Sequence, residues 1–120
     1  MPSRDVAAEA AELERFLGAR VVFAIEAFGA RVAMLQVGAE PPELLLADHL
    51  EGERPILVYR VPDLAAAVAR LEARGFDAGP ALGIPHGPLR SVETRGGHRI
   101  ALYELTRPGA SERLAGRRDF

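Results

Sequence analysis

Asp5-Val6-Ala7-Ala8 recurs as Asp63-Leu64-Ala65-Ala66, and Leu13-Glu14 recurs as Leu71-Glu72 at the same offset of 58 residues. Gly18 falls opposite Gly75 with one residue of slippage. A chain that repeats a helix start, a helix face and a helix stop reads as two copies of one supersecondary unit. The copies differ at their entrances. The second is led in by the apolar run Ile56-Leu57-Val58-Tyr59-Arg60-Val61, the first only by Met1-Pro2-Ser3-Arg4. Two tandem modules are therefore expected, the first lacking its opening strand. A start codon upstream of Met1 would restore that strand.

Within each copy the periodicity changes in the same order. Ser3 or Asp5 can cap a first helix with Val6, Ala10, Leu13 and Leu17 on one face, and Gly18 can end it. Val21 to Glu26, Arg31 to Val37 and Leu44 to Ala47 then read as strands, broken by Phe28-Gly29-Ala30 and by Pro41-Pro42. The polar stretch from Asp48 to Arg54 reads as a linker. Ile56 to Val61 is a strand, and Asp63 caps a second helix carrying Leu64, Val68 and Leu71 and ending at Gly75. Pro80, Gly83, Pro85, Gly87 and Pro88 predict an irregular loop that can hold one short strand. Leu89 to Thr94 and Arg99 to Leu105 predict a hairpin through Arg95-Gly96-Gly97. Ser111 to Leu114 can start a short helix, and Phe120 either frays with the tail or docks on the body or a second subunit.

The pattern is (β)αβββ followed by βαβββ, an α+β order with helices on one face of mixed, curved sheets and the other face free to line a cavity. The expected division is module one at 1–48, linker at 49–54, module two at 55–107 and tail at 108–120, all one domain.

At 120 residues and 48% hydrophobic content the chain can bury a real core. A net charge of -2 gives no electrostatic footprint for nucleic acid or an anionic membrane surface. All fifteen positive charges are Arg, which base composition explains. Without Cys, disulfides, thiolate metal sites and thiol catalysis are excluded. The N-terminus carries no apolar signal-peptide core and no apolar run approaches a membrane span, so a cytoplasmic protein is expected. No phosphate-binding Gly loop, dinucleotide fingerprint or nucleophile–base pair is visible.

The paired modules resemble the vicinal oxygen chelate superfamily, which includes glyoxalase I, extradiol dioxygenases, fosfomycin-resistance enzymes and bleomycin-resistance proteins. The resemblance runs from Ser3 to Arg107. Its carriers are Val61-Pro62-Asp63-Leu64-Ala65-Ala66-Ala67, Leu71-Glu72-Ala73-Arg74-Gly75 and Gly97-His98-Arg99-Ile100-Ala101-Leu102-Tyr103-Glu104. It implies a single glyoxalase/bleomycin-resistance-like domain. In the family's enzymes a divalent metal is held by His and Glu from the first and last strands of each module. The matching positions are Ile56 and Ala101 in module two, neither able to ligate. The first-module opening strand is absent, and the fourth position lies within Glu43 to Asp48. The family's D-P-x-G turn is replaced by Thr94-Arg95-Gly96-Gly97.

The resemblance, with strand parity, turns Ile56, Val58, Arg60, Ala101 and Tyr103 toward the cavity. Arg60 is a candidate for an anionic ligand group or else a rim ion pair, and Tyr103 offers apolar area plus one directed hydrogen bond. His86, between turn formers, could place an imidazole at the cavity mouth or could be a solvated loop residue. His49 and His98 read as surface, and Glu104 as outside the cavity.

The expected function is a small-molecule-binding protein of the bleomycin-resistance type, with no metal, no cofactor and no catalytic residues, leaning away from an enzyme. One alternative is a metal-dependent lyase, isomerase or dioxygenase of the same superfamily. Another is an assembly or regulatory module without a small ligand. A homodimer is expected from the absent strand, which leaves backbone groups unpaired.

Overall fold

A computed structural model describes residues 1–120, which form two compact units. Unit 1 comprises Met1–Arg54 together with Leu114–Phe120, and unit 2 comprises Pro55–Arg113. The architecture is α+β, one sheet per unit. No helix is long and apolar enough to cross a membrane.

Unit 1 opens with helix α1 (Val6–Leu17), whose N-terminus is capped by Asp5 accepting a hydrogen bond from the Ala8 amide at 3.0 Å. Gly18 ends it in the left-handed conformation at φ 64, where a side chain would cost energy. Strands β1 (Arg20–Ala27), β2 (Ala30–Gln36) and β3 (Glu43–Ala47) then meander antiparallel in the order β1-β2-β3. The β1–β2 turn is two residues long, Phe28 and Gly29, both at positive φ as a tightly twisted hairpin requires. Period-2 alternation puts Ala24, Ala33, Leu35 and Leu46 on the face that meets Val6 and Ala10 of α1. Met1, Leu13, Val21 and Phe120 close around that core.

The entrance to module one is three residues of parallel pairing. The Ser3 amide donates to the Ala47 carbonyl at 3.0 Å and the Ala47 amide donates to the Met1 carbonyl at 3.0 Å. Pro2 thus bridges β3 where the opening strand of the fold would run.

The other edge of the sheet is covered by the C-terminus. The Ala24 amide donates to the Arg117 carbonyl at 2.8 Å, and the Asp119 amide donates to the Ala24 carbonyl at 2.7 Å. The Gly116 amide reaches the carbonyl of Val22, the residue at which β1 bulges. Of the two sequence-based expectations for Phe120, docking on the body is the one realised.

Unit 2 begins with β4 (Leu57–Arg60), one residue shorter at each end than the sequence run. Helix α2 (Leu64–Ala73) follows, capped by Asp63 accepting from the Ala66 amide at 3.0 Å. The short strand allowed for between Pro80 and Pro88 is present, and it forms one arm of a tight hairpin. Strand β5 (Leu82–Ile84) turns through Pro85-His86 into β6 (Gly87–Glu93), which starts two residues before Leu89. Gly87 permits this: it sits at φ 151, and a Cβ there would overlap the Glu104 carbonyl oxygen. Strand β7 (Arg99–Tyr103) completes a mixed sheet ordered β4-β7-β6-β5, with β4 parallel to β7. A five-residue helix, α3 (Ala110–Leu114), leads into the tail.

The duplication persists at the level of single bonds. Val61 donates to the Tyr103 carbonyl at 2.8 Å just as Ser3 donates to Ala47, and the two Asp caps occupy matching places.

Candidate functional site

The register of the unit 2 sheet decides which side chains share a face. Leu57, Val58, Tyr59 and Arg60 lie beside Ile100, Ala101, Leu102 and Tyr103, and Ser91 and Leu89 lie beside Ala101 and Tyr103. Arg90, Leu102 and Glu104 belong to the helix side. Arg90 comes within 3.9 Å of Glu72 on α2, and the Glu104 carboxylate accepts the Leu64 amide at 2.9 Å. Glu104 is therefore a second cap for α2.

The opposite face carries two rows across the sheet. One is Val58, Ala101 and Ser91; the other is Arg60, Tyr103 and Leu89. Ile56 precedes β4 and continues the parity of Val58. The structure thus brings Val58, Arg60, Ala101 and Tyr103 onto one face, with Ile56 at its margin. Ala101 is buried, Ile56 and Tyr103 are half-buried, and Val58 and Arg60 are exposed. Arg60 has no ion-pair partner, so its guanidinium is held by nothing that a ligand anion would have to displace.

His86 joins this face from the β5–β6 turn. Its ring meets Tyr103 edge-on, with centroids 6.1 Å apart and planes at 67°. Its carbonyl accepts the amides of Thr106 and Arg107, each at 3.0 Å, which pins the turn. Its Nε2 hydrogen-bonds Ser111 Oγ at 2.8 Å, a pairing the sequence reading did not contain. The residues stand 25 apart, and neither lies in a recognisable motif. No signal in the chain points to Ser111 beyond its place at the start of a short helix. His49 and His98 are exposed, as expected of surface residues.

Hydrogen-bond equivalence also locates the position that the sequence alignment left open. Because Ala47 plays the part of Tyr103, Leu45 plays the part of Ala101. Asp48, three residues on, accepts the Arg31 amide at 3.0 Å through one oxygen. Ile56, Ala101 and Leu45 have no donor atom for a metal, and no three His, Cys, Asp or Glu side chains converge on one point elsewhere. The residues present do not fit a chelated ion.

The α+β fold is shared with solved structures of low sequence identity. Among solved structures, methylmalonyl-CoA epimerase from Mycobacterium tuberculosis aligns over 92% of this chain and 87% of its own, with a TM-score of 0.73 and 21% identity. A hypothetical protein from Bacillus halodurans C-125 aligns over 88% and 90%, with a TM-score of 0.71 and 12% identity. A glyoxalase/bleomycin resistance protein from Streptomyces sp. CB03234 aligns over 86% and 94% at 20% identity, with a TM-score of 0.41. No family model matches the sequence, and no curated protein sequence matches it either. These likenesses are likenesses of fold.

Proposed function

We propose that this chain is a metal-independent small-molecule-binding protein, using the unit 2 sheet face opposite α2 as its binding wall. The observation that carries the reading is the composition of that face. Val58, Ala101 and Leu89 supply apolar area, Tyr103 an aromatic wall, and Arg60 and His86 two directed polar groups. An apolar surface with a few convergent polar groups binds and orients; it does not activate a bound oxygen. The unpaired guanidinium of Arg60 favours a ligand with a carboxylate or phosphate. A thermal-shift screen of acidic and aromatic metabolites, run in EDTA, tests this. A stabilising ligand whose shift disappears in Tyr103→Ala is expected. A compound converted only when a divalent metal is added would overturn the reading.

A second reading is an enzyme of the same fold, favoured by the TM-score of 0.73 to methylmalonyl-CoA epimerase. Incubating a single epimer of methylmalonyl-CoA with the protein, with and without divalent ions, and following appearance of the other epimer decides it. We further propose a homodimer, because β4 has β7 as its one strand neighbour and Leu57, Val58 and Tyr59 on it are each more than half exposed. An oligomeric regulatory module without a small ligand is what remains if the screen is empty and the dimer is found.

A further inference from the structure

No nucleophile–base pair is legible in the sequence, yet unit 2 assembles one at the edge of its sheet face. His86 Nε2 and Ser111 Oγ stand 2.8 Å apart, within the reach at which a base takes a hydroxyl proton. With the ring proton on Nδ1, the Ser111 hydroxyl donates to Nε2. Both partners are held from behind. The His86 carbonyl accepts the Thr106 and Arg107 amides, and the Arg107 guanidinium donates to the Ile84 carbonyl at 2.9 Å across the same turn. The edge-on contact with Tyr103 flanks the imidazole. Ser111 follows Ala110, which is 3% exposed and donates its amide to the Arg107 carbonyl at 3.3 Å. Two mobile surface side chains in contact would be incidental. Here a half-buried ring on a pinned turn meets a hydroxyl that is itself exposed, so the oxygen is both positioned and open to a substrate.

The neighbours of the pair select the substrate. Arg60 lies beside Tyr103 in the β4–β7 register, Tyr103 touches His86, and His86 bonds Ser111. An aryl ring suits Tyr103, and a carboxylate on that ring suits Arg60. A single nucleophile–base pair is matched to esters with a stable leaving group, aryl esters, rather than to amides. We propose that Ser111 and His86 are a catalytic pair that hydrolyses esters of carboxylate-bearing phenols. Ser111 Oγ attacks the ester carbonyl as its proton passes to His86 Nε2. The bond from the acyl carbon to the aryl oxygen breaks, and the aryl oxide takes that proton. Water, deprotonated by the same nitrogen, then cleaves the acyl-serine, and the proton returns to Ser111 Oγ. The choice of substrate rests on the proposed binding wall; the pair itself does not.

Hydrolysis of 4-acetoxybenzoate and of phenyl acetate by the full chain, in EDTA, tests both parts. At saturation the 4-acetoxybenzoate rate should exceed that in buffer by roughly a hundredfold, the contribution of one positioned base. Ser111→Ala and His86→Gln should each fall to the buffer rate while circular dichroism shows them folded. A fluorophosphonate probe should label wild type at Ser111 and leave His86→Gln unlabelled, a readout that a merely structural hydrogen bond would not move. Relative to buffer, wild type should favour 4-acetoxybenzoate over phenyl acetate in kcat/KM by roughly fivefold, the upper end for an exposed ion pair, and Arg60→Gln should abolish that preference. No rate above buffer, full activity in Ser111→Ala, or labelling elsewhere than Ser111 overturns the catalytic pair. A ligand that stabilises the protein through Tyr103 without any ester turnover overturns it too, and leaves the binding reading standing. Turnover with no preference between the esters, or a preference that survives Arg60→Gln, overturns the substrate class.

Discussion

Phe28 stands at φ 54 in the tip of the β1–β2 hairpin with its ring fully in solvent. A non-glycine residue in the left-handed region carries a steric cost, and here no burial offsets it. Phe28→Gly is expected to stabilise unit 1 by about 1 kcal/mol, read as a rise in the thermal midpoint. Gly87 is the reverse case. Its φ of 151 and its contact with the Glu104 carbonyl leave no room for a Cβ, so Gly87→Ala should cost about 2–4 kcal/mol in denaturant titration. The helix starts were legible residue by residue: Asp5 and Asp63 are good capping types, and each precedes apolar residues at helical spacing. The His86–Ser111 bond was not, because a hydrogen bond between two residues far apart in the chain has no local periodicity to betray it. Nor did the run of turn formers from Pro80 to Pro88 reveal that Gly87 begins a strand, since that depends on pairing with Ile84 and on Glu104 and Thr106 passing against it.

At the scale of elements, the C-terminal segment is a strap on the open edge of β1. Asp119 ties it down: its carboxylate accepts the Glu26 amide of β1 at 2.9 Å and, within the segment, the Arg117 guanidinium at 2.7 Å. The Arg117 bond, with the Glu26 amide second in weight, holds the Asp119 carboxyl below the ordinary carboxylate range. A depressed folded-state value means stabilisation that is complete above the unfolded value and lost as pH falls through the folded one. The strap should therefore stay docked at neutral pH and loosen on acidification below the usual carboxylate range. Protection of the Glu26 and Ala24 amides against hydrogen exchange will check this, and Asp119→Asn should lower their protection at neutral pH and remove its acid-dependent loss. Phe120, half-buried against the unit 1 core, should cost about 1–2 kcal/mol when cut to Ala, less than the loss of a fully buried aromatic ring. Strand and helix order came from apolar alternation and caps in both modules. The strap did not, because Gly116-Arg117-Arg118-Asp119-Phe120 has a solvated composition and pairs through its backbone, which composition does not encode.

For the whole molecule, the duplication that organises the sequence also organises the proposed function. Matching bonds at Ser3–Ala47 and Val61–Tyr103 make the two modules comparable position by position. That comparison makes Leu45, like Ile56 and Ala101, an apolar side chain with no donor atom for a metal. The sequence alone left this position open within Glu43 to Asp48, since a strand after Pro41-Pro42 can be aligned in more than one register. The exposed strand β4 and the three-residue entrance of module one belong to the same scale. Light scattering on the eluting protein should give twice the chain mass at micromolar concentration, and a monomer would remove the dimer from the account.

The central claim is that this chain works without a chelated metal. Elemental analysis of freshly purified protein, prepared without chelators, addresses it most directly. The account predicts less than about a tenth of an equivalent of Fe, Mn, Ni or Zn, because the apolar positions supply no ligand for a lasting site. Near-stoichiometric metal that survives dialysis, and is lost together with ligand binding or turnover, would contradict it.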